Sequence, residues 1–173
     1  AHRLEDVAFT AGAALSALDA VVRRQVGGRG TWRQRLALTA ATVTAKQAGR
    51  IEDEAALRDA VLLTRPGADV GPAGRMLLTW RRLATRPSED LLTRKNLGAV
   101  VEEFGYALDD EAVSDLLDEI RQLPTSGTVG ALSGAFAAAE RYRLGHGVGS
   151  WFADALLAQR LGATRCLVLV RGE

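Results

Sequence analysis

The chain has 173 residues, of which 47% are hydrophobic, 25% charged and only 5% aromatic, with a formal net charge of +1. That length and balance are ordinary for a soluble globular protein and provide a sizeable core, as one domain or two closely packed halves, that needs no metal or disulfide to fold. The single cysteine, Cys166, excludes a disulfide framework within the chain, and no apolar run reaches the ~18 residues of a membrane span.

Leu4, Ala8, Ala11, Leu15, Leu18 and Val22 alternate steps of four and three, which predicts a helix over 4–26 with one apolar stripe. Gly12 and Ser16 lie beside that stripe and permit close approach of another helix. Gly27-Gly28-Arg29-Gly30 predicts the end of the helix, because glycine readily takes the left-handed cap conformation. Thr31 then reads as an N-cap with Gln34 at the capping-box position. This second helix presents Trp32, Leu36, Ala40 and Val43 on one face and stops at Gly49.

A third helix is predicted over 52–63, with acids in its first turn as the helix dipole favours. A Pro/Gly loop follows over 64–71. Pro72 suits the first turn of a fourth helix carrying Met76, Leu77, Trp80 and Leu83. Pro87-Ser88-Glu89 breaks the chain and starts a fifth helix that runs to Phe104, where Gly105 stops it. Asp109 or Asp110 caps a sixth, with Val113, Leu116, Leu117 and Ile120 inside, and 124–127 is a turn. A seventh helix spans 129–142. Gly145-His146-Gly147-Val148-Gly149 reads as a loop, and Ser150 as the cap of an eighth helix whose inner residues are Trp151, Ala155, Leu156 and Leu161. The apolar run 167–170 reads as an extended tail or the start of an excised segment.

Nothing shows strand–helix alternation, so the fold class is all-α: a helical bundle of seven to eight helices. One domain, 1–173, is expected, with sub-halves 1–86 and 87–173 meeting at Thr85-Arg86-Pro87-Ser88. No signal-peptide pattern is visible, and the start at Ala1 rather than Met fits a trimmed fragment.

Charge is unevenly distributed. Residues 65–95 carry seven basic residues and three acids; residues 102–120 carry eight acids and no base. Such blocks indicate self-complementary packing, two faces for two partners, or solvated helix faces.

Three clusters are candidate sites. Arg23, Arg24, Arg29, Arg33 and Arg35 surround the glycine turn, where helix N–H groups favour anions and Trp32 offers a stacking face. Arg75, Arg81, Arg82 and Arg86 lie along the fourth helix in a row that fits a phosphate backbone, without a helix-turn-helix pattern beside it. Glu5, Asp6, Arg33, Asp53, Glu54 and Arg58 form a third cluster, which reads as a carboxylate–arginine site or as a salt-bridge lattice with Glu54 paired to Arg58.

The Glu-x-x-His partner of a bundle metal site is missing, since the two histidines are His2 and His146. The 145–149 glycines follow a helix rather than a strand, so no dinucleotide loop is implied. Residues 103–111 are similar to the linker between paired EF-hands, but the calcium loop is absent. Cys166 in its apolar run reads as a small hydrophobe. No metal and no cofactor are expected.

Several segments resemble one family. They are Arg3-Leu4-Glu5-Asp6-Val7-Ala8-Phe9, Trp32-Arg33-Gln34-Arg35-Leu36, Glu52-Asp53-Glu54-Ala55-Ala56-Leu57-Arg58, Trp80-Arg81-Arg82-Leu83-Ala84 and Trp151-Phe152-Ala153-Asp154-Ala155-Leu156. Together they resemble domain of unknown function 1403, a family of alphaproteobacteria often met on rhizobial plasmids. The likeness covers nearly the whole chain and implies a bacterial, cytoplasmic setting rather than a reaction. A fainter similarity points to helical proteins related to Fic-type regulators, but the Fic catalytic motif is absent, so AMP transfer is not implied.

The expectation is therefore a non-enzymatic, all-helical interaction module, self-associating or a subunit of a larger bacterial assembly, with a protein partner or a second copy and no membrane. The alternatives are a nucleic-acid-associated accessory protein using the arginine patches, and a helical enzyme built on the carboxylate–arginine cluster.

Overall fold

Backbone N–H groups left over at helix starts, and carbonyls left over at helix ends, decide where this chain changes direction. The structure, a computed structural model, describes residues 4–24 and 29–163. The predicted cap at 25–28, Cys166 and the apolar run 167–170 lie outside the described residues. The described residues form α1 (Leu4–Arg24), α2 (Arg29–Gln47), α3 (Glu54–Leu62), α4 (Gly71–Thr85), α5 (Ser88–Leu91), α6 (Arg94–Glu103), α7 (Asp110–Gln122), α8 (Gly127–Arg141) and α9 (His146–Arg160). A short 3-10 turn, Leu123–Ser126, joins α7 to α8, and no strand occurs among the described residues. The all-α class is borne out.

Among the described residues, three starts are capped by side chains. Asp53 accepts from the Ala56 N–H at 2.8 Å, Asp109 from the Ala112 N–H at 2.8 Å, and Thr93 from the Asn96 N–H at 3.4 Å. The Thr93 cap divides what the sequence suggests is one helix after Pro87 into α5 and α6. Gly105 closes α6 in a paired cap: its N–H donates to the Glu102 carbonyl at 2.8 Å, and the Tyr106 N–H to that of Val101 at 3.0 Å. Its φ of 91° requires glycine. The end of α8 uses the same pair of bonds, with Arg143 at φ 56° in place of glycine.

Two predicted boundaries are corrected. Thr31 is not an N-cap, because α2 already includes Arg29 and Gly30. The 145–149 segment is not a loop capped by Ser150. Gly145 is the N-cap, and Gly147, Val148, Gly149 and Ser150 are buried helix. Glycine there serves packing: a Cβ on Gly149 would lie 2.7 Å from a Phe136 ring carbon, and one on Gly147 would overlap the Thr44 methyl.

The chain divides into two units, residues 1–32 and 33–173. In the first, α1 exposes Glu5, Asp6, Val7 and the run 9–14. In the second, α9 is buried from Gly147 to Ala158 and packs most extensively on α8, with α4 and α5 also against it. A helix apolar all round belongs in a core. The buried stripe of α2 is Ala37, Ala40, Ala41, Thr44 and Ala45, while Leu36 and Val43 are only half-buried. The larger residues mark the wrong face, because close packing prefers the alanines. Two tryptophans tie the layers together: Trp80 Nε1 donates to Thr44 Oγ1 at 3.1 Å, and Trp151 Nε1 to the Thr79 carbonyl at 3.2 Å. Both rings are fully buried, whereas Trp32 is half-buried and Leu161, expected inside, is exposed.

Gly147→Ala should lower stability by about 1–3 kcal/mol through overpacking against Thr44. Adding Thr44→Ser, which removes the methyl and keeps the hydroxyl that receives Trp80, should recover much of the loss. Equal melting points for the single and double variants would show that this contact is not the cause.

Candidate functional site

The charged helices are joined mainly inside the second unit. On α4, Arg82 donates to the Glu103 carboxylate of α6 and, at 3.0 Å, to Asn96 Oδ1. The other Glu103 oxygen accepts from Thr79 Oγ1 at 3.0 Å, and Asn96 Nδ2 donates to the Leu91 carbonyl at 2.7 Å. The Arg82 and Glu103 side chains are each only 20% exposed. The network therefore satisfies charges that would otherwise destabilise the α4–α6 contact. Arg94 approaches the Asp110 carboxylate at 3.5 Å, so a second link runs between the basic and acidic blocks.

The remaining arginines of the predicted α4 row differ in use. Arg75 lies 3.7 Å from Asp69, Arg81 is half-buried, and Arg86 is exposed at the helix end. In the cluster around the glycine turn, Arg35 is exposed and Arg33 half-buried, while the side chains of Arg23, Arg24 and Arg29 lie outside the described ones.

Three members of the carboxylate–arginine cluster, Asp53, Glu54 and Arg58, have contacts of their own within the second unit. Asp53 is occupied as a helix cap, Glu54 accepts from Thr39 Oγ1 at 3.1 Å, and Arg58 pairs with its neighbour Asp59 at 3.0 Å rather than with Glu54. Asp53, Glu54 and Arg58 are all exposed. Glu5 and Asp6 belong to α1 and are exposed there. No group of three His, Cys, Asp or Glu that could hold a metal occurs among the described residues.

Two concavities went unnoticed in the sequence because distant segments build them. A cavity of about 160 Å³ lies where the end of α2 meets the start of α9, lined by Thr44, Gln47, Phe104, Tyr106, Gly145 and His146. His146, exposed, stacks on Phe136 with ring centres 4.9 Å apart. An open groove of about 660 Å³ runs along α6 past Arg94, Lys95, Gly98, Glu102, Tyr106 and Leu108. Both signs of charge line this groove.

Two titrations are displaced. Burial pushes the Tyr142 phenol above its usual 10.0, and the nearby Glu119 and Asp115 carboxylates add to the shift. A hydrogen bond from the Arg50 guanidinium holds the Glu52 carboxyl below its usual 4.5. Neither group lies in a cluster that resembles a catalytic pair.

The described features define an all-helical protein with exposed apolar residues on α1 and an internally paired charge pattern, and none of its described helices is long and apolar enough to cross a membrane. The chain belongs to the family described as Protein of unknown function (DUF1403), whose profile matches residues 1–172. Comparisons with curated proteins and with solved structures give no match.

Arg82→Glu should destabilise the fold by about 1.5–3 kcal/mol, the usual range for losing charged hydrogen bonds, while Arg86→Glu at the exposed helix end should be nearly neutral. Equal effects in chemical denaturation would mean that the network contributes nothing. Tyr142 adds a pH signature. Because its folded-state value is raised, its contribution to stability is complete below pH 10.0 and is lost as pH rises through the folded value. Tyr142→Phe should therefore flatten the alkaline decline in stability.

Proposed function

We propose that this chain is a non-enzymatic helical interaction module of a bacterial cytoplasm that docks another protein through α1. The observation that carries this reading is the exposure of large apolar residues on α1: Val7 is 52% and Phe9 80% exposed, beside an exposed run at 9–14. Single exposed apolar residues are ordinary, but Val7 and Phe9 stand within one turn of each other on a helix exposed throughout 9–14, and so offer apolar area that a partner wrapping the helix can cover.

The charge layout supports the same reading over its rivals. A phosphate-tracking row needs arginines directed to solvent, yet Arg82 is held by Glu103 and Asn96, and Arg75 lies beside Asp69. An acid–base site needs carboxylates left available for proton transfer, yet Asp53 caps α3 and Glu54 receives Thr39.

A photo-crosslinking amino acid in place of Val7, carried on the full chain in its native host, tests the reading. Crosslinks to one protein species are expected, whether that species is the chain itself or another. A chain that crosslinks to no protein would sink the proposal.

A further inference from the structure

We infer that α1 pairs antiparallel with α1 of a second copy of this chain, with the two-fold axis level with residue 13 along the helix. The inference rests on the proposal that α1 is the docking element, and it names what α1 docks. Three observations lead to it.

The first is the period. The apolar positions 4, 8, 11, 15, 18 and 22 alternate steps of four and three, the a/d spacing of a helix seam that faces one other helix. The second is exposure. Within that seam Ala11 is exposed and Ala8 only half-buried, and Val7 flanks it at 52% exposure. The helix is 21 residues long, or about 30 Å, enough for a continuous seam.

The third is the order of side-chain sizes, which selects both the occupant and the direction. The seam has alanine at 8 and 11 and leucine at 15 and 18. An antiparallel pairing centred on residue 13 sets position 8 opposite 18 and position 11 opposite 15. Every central layer then joins one alanine to one leucine, and the two helices keep an even separation of about 8–10 Å. Position 4 meets position 22 at each end, leucine against valine. A parallel pair would instead stack alanine on alanine in one half and leucine on leucine in the other, leaving voids where the helices are held apart.

Charge agrees in sign. Glu5 and Asp6 begin α1, and Arg23 and Arg24 end it, with Asp19 one turn earlier. Antiparallel pairing brings the acidic start of one copy to the end where two arginines offset that aspartate, and sets the helix dipoles head to tail. Parallel pairing would place like ends together. A sequence whose second half complements its first in both size and charge is complementary to itself, which is why a second copy fits better than an unrelated helix.

Sedimentation of the full chain across concentration should show a dimer. Ala11→Glu places an unpaired charge on the seam and should raise the dissociation constant about 100-fold or more. Because Ala11 is exposed, the variant should keep its helicity. Thr10→Glu, on the outer face, should leave the dimer intact. Orientation is read separately, in a Cys166→Ser background. Ala8→Cys chains mixed with Leu18→Cys chains should form the mixed disulfide, and neither chain alone should crosslink efficiently, since a disulfide requires Cβ atoms about 3.5–4.5 Å apart.

Efficient Ala8→Cys self-crosslinking would overturn the antiparallel arrangement. A chain that stays monomeric at ~100 µM while the Val7 photo-crosslinker captures a different protein would overturn self-pairing and leave the docking reading standing. A monomer with no crosslink would overturn both.

Discussion

The close approach of α9 to its neighbours is the constraint on which the second unit depends. A helix buried continuously from Gly147 to Ala158 has no solvent face, so every side of it must find a partner. That is possible only where the neighbouring surface is shallow. Gly147 admits the Thr44 methyl and Gly149 admits the Phe136 ring, and the facing stripe of α2 is almost entirely alanine. With the helices this close, few aromatic rings are needed. Of the fully buried rings, Trp80 and Trp151 each find an acceptor for the indole N–H on another helix, Thr44 Oγ1 for the first and the Thr79 carbonyl for the second. Buried N–H groups of this kind cost free energy unless paired, so the two bonds also fix which helices face each other.

The polar network above this core explains the lopsided charge of the sequence. Basic α4 and acidic α6–α7 do not form two independent faces. Arg82, Glu103, Thr79 and Asn96 close the contact between α4 and α6, and Arg94 with Asp110 links α6 to α7. Part of the charge that resembles a nucleic-acid surface in the linear sequence is thus used within the molecule. What remains outward, such as Arg86 and Lys95 in the basic block and Glu111, Asp115 and Asp118 in the acidic one, is of the ordinary solvated kind.

Against this internally satisfied unit, α1 stands out. Apart from half-buried Ala8, its described residues are exposed, and its apolar positions follow a spacing suited to one facing helix. Large apolar side chains are also exposed in the second unit, at Ile51, Leu62 and Leu63, but on α1 they accompany a stripe of heptad spacing. The proposed docking role follows from that distribution rather than from any single residue.

The sequence by itself determined the helical class, most helix ends and the deep positions of the larger residues: Met76, Leu77, Trp80 and Leu83 on α4, and Val113, Leu116, Leu117 and Ile120 on α7, are all buried as their spacing indicates. These are local properties, set by period, caps and glycine, and a linear chain displays them. The inner face of α2 and the helical start of α9 were decided only by tertiary structure. Glycine illustrates the reason. At Gly105 it is read correctly as a stop, because φ 91° is a local demand. At Gly147 and Gly149 the same residue continues a helix, because what it answers is a methyl on α2 and a ring on α8. The candidate sites depended on the same distinction. Charges adjacent in sequence were visible, but which of them would be neutralised was settled by helices that meet only after folding.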